Sequence, residues 1–440
     1  MDAVALPPRP DLAQYRKQAK DLLRAAKAGD ADALQRIRQC PRLGPAGAAA
    51  GATGDPSAEP PAPAPMLADA QYVVAREHGF AGWPAFAAHV EALAFRDAPI
   101  ARFEAAADAV VAGDLPALAR LVGEDPALAR ARSTRVHRAT LLHYVAANGV
   151  EDYRQRTPPN AVAVARTLLA AGAAVDASAD VYGGGPSQTP LGLLVSSVHP
   201  ARAGLQAALV DVLVDHGASV EGPEDDGSPL LTALAFHYAA AAAALVRRGA
   251  RVDSLAAAAG VGDDSRVRSL LTGGTDGGAG RRAAARALPR WLRLPRAPAA
   301  ARAAERTGAL GWAAALGHRR VVELLADAGV PLDGADAQGF TALHWAAWGG
   351  HLDVIDALVA RGAPLEARNR YGGTVLGATA WAAAHGGRAL EDPRPDALPS
   401  VDYPRVVAHL LAAGARADAV TLPSGHAGVD AVLAQRTSQE

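Results

Sequence analysis

Leu310-Gly311-Trp312-Ala313-Ala314 and Gly317-His318 return 33 residues on as Leu343-His344-Trp345-Ala346-Ala347 and Gly350-His351. Gly329 returns as Gly362 at the same interval. Within one period, Asp336-Ala337-Gln338-Gly339 has turn chemistry, with Gly339 free to take a positive φ. Thr341 follows as a helix cap, its oxygen placed to accept from N–H groups that lack an intrahelical partner. Leu343, Ala346 and Ala347 share one helical face, and Gly349-Gly350 ends that helix. Leu352, Ile355, Leu358 and Val359 line a second helix that stops at Gly362. Neither helix can hide its apolar face alone, so copies must stack.

The interval, with Thr341-Ala342-Leu343-His344 opening a helix and Arg361-Gly362-Ala363 closing one, resembles the ankyrin repeat. The resemblance implies an all-α ankyrin-repeat solenoid of about eight helical hairpins with a separate N-terminal helical region. Repeats are expected over 307–420, with the best matches at 307–376, and degenerate repeats over 103–274. Residues 103–131 read as an opening repeat. Thr140-Leu141-Leu142-His143 to Gly172-Ala173 and Thr189-Pro190-Leu191 to Gly217-Ala218 read as stretched copies. Ser228-Pro229-Leu230 to Gly249-Ala250 keeps the unextended spacing, Leu255 to Leu271 is a helix pair lacking a finger, and Thr374 to Ala415 spans an insertion near Gly386 to Asp402. In such a frame His143 and His344 hydrogen-bond locally to fix the finger, while His318 and His351 pack between helices.

The flanks differ. Ala28-Gly29-Asp30 with Leu34 echoes Ala112-Gly113-Asp114 with Leu118, so 1–43 reads as a helical half-repeat. Residues 44–66 are an Ala/Gly/Pro-rich linker. Residues 67–97 read as a two-helix leader module, with Pro84 in the first turn of its second helix, where a missing N–H costs nothing. Leu6-Pro7-Pro8-Arg9-Pro10, the helix with Lys17 and Lys20, and Ala75 to Phe80 with Trp83-Pro84 together resemble the leader of a group of bacterial ankyrin-repeat proteins. The resemblance implies no defined biochemical role. Residues 275–306 are an Arg-rich insertion and 421–440 a C-terminal cap.

Composition narrows the function classes. The formal net charge of the 440 residues is −1, so no global field favours nucleic acid or an anionic membrane. Cys40 is the single cysteine, which excludes an intramolecular disulfide and a cysteine-rich zinc site. It follows a basic helix, but no partnered base accompanies it, so an inert thiol is the simpler reading. Met1 to Pro10 has no secretory pattern. Ala239 to Val246 and Leu191 to Val198 are too short to span a bilayer, which needs roughly 20 residues. A soluble cytoplasmic protein is expected. No HExxH, G-x-S-x-G or phosphate-loop ending is present, and Gly183-Gly184-Gly185 reads as finger glycine. No catalytic, cofactor-binding or metal residue is therefore assigned.

Two surfaces remain. Arg281, Arg282, Arg286, Arg290, Arg293 and Arg296, interleaved with Trp291, Leu292 and Leu294, could grip a polyanion such as nucleic acid or an acidic surface. Pro289, Pro295 and Pro298 interrupt that segment, and a solvated insertion is the plainer reading. The ankyrin resemblance assigns groove positions to Gln338, Phe340 and Trp348 in one unit and to Arg370, Tyr371 and Trp381 in the next. It places Trp348 on the open face and Trp312 and Trp345 in the buried position, while Trp381 is left open between groove and core. The reading is a non-enzymatic scaffold that binds another protein through fingers and concave face. The alternative is a polyanion binder using residues 281–306.

Overall fold

The computed structural model describes residues 3–41, 64–182, 188–272, 298–385 and 401–437. Among these residues the regular elements are helical. The β pairing is limited to isolated antiparallel bridges joining Arg132 to Thr140, Ala179 to Gln188 and Ala335 to Thr341. The chain divides into two compact units, Met1–Leu193 and Leu194–Glu440.

In the first unit, helices α1 (Leu12–Lys27) and α2 (Ala31–Ile37) are capped by Asp11 and Asp30, whose carboxylates accept from the N–H groups of Ala13 and Ala33. Helices α3 (Leu67–Glu77) and α4 (Trp83–Leu93) follow. The half-repeat and the two-helix leader, far apart in sequence, share one core of Tyr15, Leu22, Ile37, Val73, Phe80 and Phe86. They form a single helical cluster rather than two modules. Phe86 is its hub, edge-on to Tyr15 at 4.9 Å and to Phe80 at 5.4 Å, and stacked on His78 at 5.2 Å. Most of the linker, 42–63, lies outside the described residues.

Two hairpins complete this unit: α5 (Pro99–Ala112) with α6 (Leu115–Glu124), and α7 (Leu141–Ala146) with α8 (Ala161–Ala170). The leader packs on them through α4 against α5. The Val136 N–H also donates to the Gly79 carbonyl at 3.0 Å. The following hairpin begins with α9 (Pro190–Leu194), where the two units divide.

The second unit continues with α10 (Val198–Arg202), α11 (Gln206–Asp215), and the pair α12 (Ser228–Ala235) and α13 (Ala239–Arg247). Four further pairs follow: α14 (Leu255–Gly260) with α15 (Asp264–Leu271), α16 (Pro298–Ala315) with α17 (Arg319–Asp327), α18 (Ala342–Gly349) with α19 (Leu352–Val359), and α20 (Val375–Ala384) with α21 (Tyr403–Ala412). Helix α22 (Ala427–Thr437) packs on α21. First helices contact first helices and second helices contact second helices, which is the stacking the sequence period demands. Leu310, Leu343 and Leu376, spaced by the period, form a column no more than 1% exposed.

The stacking explains the repeated Gly-His pair. Gly317 is left-handed (φ 78°), and a β-carbon there would lie 2.7 Å from the His351 ring. The His351 Nε2–H donates across the stack to the Ala315 carbonyl at 2.9 Å, and His318 does the same to Gly260 at 3.0 Å. One boundary shifts. Helix α16 starts at Pro298, so 298–306 extends the repeat helix instead of closing the Arg-rich insertion. A proline opening a helix forfeits no intrahelical hydrogen bond.

Candidate interaction surface

The fingers of the second unit are set by short polar side chains. The Asp336 carboxylate accepts from the N–H groups of Gln338 and Phe340, both at 2.9 Å, and from the Trp345 indole at 3.0 Å. Burial raises the Asp336 pKa against these hydrogen bonds. Gly339 is left-handed (φ 80°), as its place in the turn requires. One period on, the Asn369 side-chain oxygen accepts from Tyr371 and Gly373, both at 3.0 Å. The Arg370 N–H donates to the Gln338 carbonyl at 2.9 Å, joining one finger to the next. The His344 ring accepts from the Thr341 N–H at 3.2 Å, anchoring the finger to α18, and burial lowers its pKa to about 4. His143 binds Thr140 in the same way at 3.1 Å and is likewise lowered to about 4 by burial.

The aromatic residues are arranged differently from the sequence expectation. Trp348 is buried, at 6% exposure, and not on the open face. Its ring lies 5.7 Å from Phe340 and 5.9 Å from Trp381, while the Tyr403 hydroxyl of α21 donates to its carbonyl at 3.1 Å. Trp345, expected inside with Trp312, is only half-buried because its indole turns to Asp336; Trp312 is buried. Phe340 is also buried, and Trp381 is half-buried with His385 stacked on it at 4.1 Å. Tyr371 and Arg370 are exposed, with the Arg370 guanidinium 5.6 Å over the Tyr371 ring, and Gln338 is half-buried.

Four of the six groove candidates nevertheless meet at one place. Phe340, Trp348, Tyr371 and Trp381 line a cavity of about 590 Å³, together with Asn369, the α20 surface and the Val420 to Ser424 loop. That volume lies within the ~300–1,000 Å³ of small-ligand and side-chain sites. Gln338 and Arg370 sit outside the lining, on the finger. Arg281, Arg282, Arg286, Arg290, Arg293 and Arg296, with Trp291, Leu292 and Leu294, lie outside the described residues, as do Gly183 to Gly185 and most of the insertion near Gly386 to Asp402.

A second constellation, in the first unit, was not anticipated. Arg135 of the finger, 2% exposed, donates to Glu104 of α5 at 2.6 Å, and its Nε lies 2.8 Å from fully buried Glu151. Arg154 donates to Glu104 at 2.7 Å and to Asp108 at 2.7 Å. The Tyr144 hydroxyl donates to Glu151 at 3.3 Å, and Arg135 lies 5.4 Å over the leader's Phe80 ring. Burial alone would raise Glu104 and Glu151; the arginines, and for Glu151 also His137, outweigh it and hold both below the usual carboxylate range. His89 of the leader, 2.8 Å from the Thr134 hydroxyl, is lowered to about 4 by burial. The network ties leader, finger and insertion together. Its one sequence signal was the density of charge in Glu151 to Arg156.

Among the described residues no helix is long and apolar enough to cross a membrane. Residues 254–369 match the family model for ankyrin repeats in three copies. The chain is similar to the crystal structure of the human ASB11 ankyrin repeat domain at 20% identity, covering 71% of this chain and 98% of that one, with a TM-score of 0.33. No curated protein matches it. Ankyrin repeats generally mediate protein–protein interaction, and the fold is typically a non-catalytic scaffold.

Proposed function

We propose that this chain is a non-enzymatic binding module that engages another protein through the fingers and aromatic cleft of residues 336–424. The observation that carries this reading is the convergence of Phe340, Trp348, Tyr371 and Trp381 on one cavity beside an exposed finger. Tryptophan, tyrosine and arginine dominate interface hot spots, the two aromatic residues because each offers a large contact area at low entropic cost and arginine because its planar fork makes several hydrogen bonds at once. Here Tyr371, Trp381 and Arg370 are the contacting residues, and Gln338 supports the finger. Phe340 and Trp348 form the floor, holding Trp381 in place instead of projecting into a partner.

A photo-reactive amino acid in place of Tyr371, and separately of exposed Arg319 on α17, tests the reading in a native extract. Discrete adducts should form at 371, be absent at 319, and fade when Trp381→Ala is added. Equal labelling at the two positions would remove the cleft from consideration.

A further inference from the structure

We infer that the leader is a detachable opening repeat whose hold on the array is released when acid protonates His89. Helix α4 of the leader packs on α5, which packs on α7, so it extends the layer of first helices by one place. The Val136 N–H donates to the Gly79 carbonyl at 3.0 Å, as Asp180 donates to His137 at 2.7 Å and Arg370 to Gln338 at 2.9 Å. The turn before α4 therefore stands where a preceding finger would. No helix lies between α4 and α5, so this opening repeat has no second helix of its own. Its grip is correspondingly narrow. It includes one helix face, that backbone bond, the Arg135 guanidinium 5.4 Å over the Phe80 ring, and His89 against Thr134.

His89 is the part of that grip which a proton changes. Its ring is fully buried, 4.8 Å from Phe80, with Nδ1 2.8 Å from the Thr134 hydroxyl of the finger. Its Nε2 is buried too and has no hydrogen-bond partner among the described residues. The charges facing it come from Glu104 of α5, Arg135 of the finger, and Glu151 and Arg154 of the insertion. Both carboxylates are already engaged: Glu104 by Arg135 at 2.6 Å and by Arg154 at 2.7 Å, Glu151 by Arg135 at 2.8 Å. The imidazolium would hold an Nε2–H without an acceptor and set a third cation beside two guanidiniums. Undocking gives it water. Burial accordingly lowers the docked pKa to about 4, so the neutral ring supports docking above about pH 6.5 and this support is lost as pH falls toward 4. The leader's other imidazole, His78, donates to the Val4 carbonyl at 2.8 Å inside the leader itself, and its titration bears on the leader's own core.

Hydrogen exchange of the full chain at single-amide resolution, corrected for the intrinsic effect of pH, tests this. Between pH 7.5 and 5.5 the Val136 amide should lose about 10-fold in protection, the effect of one proton taken up only on undocking. Amides inside α1 and α3 should keep theirs, because the leader leaves as a folded unit. His89→Asn, neutral at every pH, should remove the loss. Thr134→Val takes away the hydroxyl but keeps the imidazole, so it should lower protection at pH 7.5 and retain the pH dependence. Equal Val136 protection at both pH values overturns the inference, as does a loss undiminished in His89→Asn. Loss of protection in α1 and α3 in step with Val136 overturns it too. If His89→Asn fails to dock at pH 7.5, the wild type and Thr134→Val decide. The same loss in both, with α1 and α3 protected, supports the latch; its absence from either overturns it.

Discussion

The finger of residues 131–140 and the finger of residues 335–341 share one design and are backed by opposite chemistry. Both are closed by an antiparallel bridge, and both are pinned by a threonine–histidine pair at the start of the next helix. In the first unit the space beside the finger is filled by Arg135, Glu104, Glu151 and Arg154, nearly all out of contact with water. In the second it is filled by Phe340, Trp345 and Trp348, with Trp381 at the edge. Buried charges must be answered on every side, so the ionic arrangement closes around itself and recruits the leader. Aromatic rings need only contact, so the second arrangement can leave one flank open as a cleft. One repeat frame therefore yields an ionic clasp in one place and an aromatic cleft in the other.

The sharpest way to separate the two is truncation. Arg135→Ala takes one of two arginines away from buried Glu104 and Glu151, leaving Arg154 alone to answer both, and should cost about 3–5 kcal/mol. Trp348→Ala removes a core ring and should cost a similar ~3–5 kcal/mol through a cavity. The contrast lies in the rescue. Restoring volume with Trp348→Phe should recover most of the loss, whereas Arg135→Met should not while Glu104 and Glu151 remain. Denaturant unfolding of the variants checks both.

Acid should act on both units through their buried imidazoles. His89, His143 and His344 have folded pKa values near 4, below the ordinary 6.5. Their neutral forms thus contribute stability that is fully present above about pH 6.5 and is lost as pH falls toward 4. A full shift of that size is worth at most ~3 kcal/mol per group. Glu104 and Glu151 are depressed as well, so their contribution persists above the ordinary carboxylate range near 4.5 and disappears only below it. Unfolding at pH 7, 5.5 and 4.5 should show a steady decline, partly removed by His344→Asn. A flat profile would mean that these rings are not sealed.

Smaller effects follow at the caps and the surface. Thr341→Val removes the hydroxyl at the start of α18 and should cost about 1 kcal/mol. Arg361→Ala breaks an exposed pair with Asp327 and should change stability by less than ~1 kcal/mol. Thermal melts of the two variants give the ordering.

Much of this was legible in the residues. The period of 33 in residues 310–369 gives hairpins, fingers and stacking, because each rests on local spacing. Trp312 is buried as expected, but Trp348 was assigned to the open face and lies inside, for a physical reason. Helix α18 has eight residues and is buried on nearly every side, so its apolar pattern names no outward face. The ionic network was hidden because charge in an insertion ordinarily meets water. Here Arg154 of the insertion finds Glu104, 50 residues away, and Asp108, 46 residues away, both in α5. The union of the two N-terminal segments was hidden in the same way, since only packing brings Tyr15 onto Phe86.

Hydroxyl-radical footprinting of aromatic side chains tests the contrast most directly. Tyr371 and Trp381 should be oxidised readily, while Trp348 and Phe340 beneath them, and Tyr144 and Phe80 beside the ionic network, should be protected. Oxidation of Trp348 as fast as Tyr371, or protection of Tyr371, would contradict an open cleft over a sealed aromatic floor.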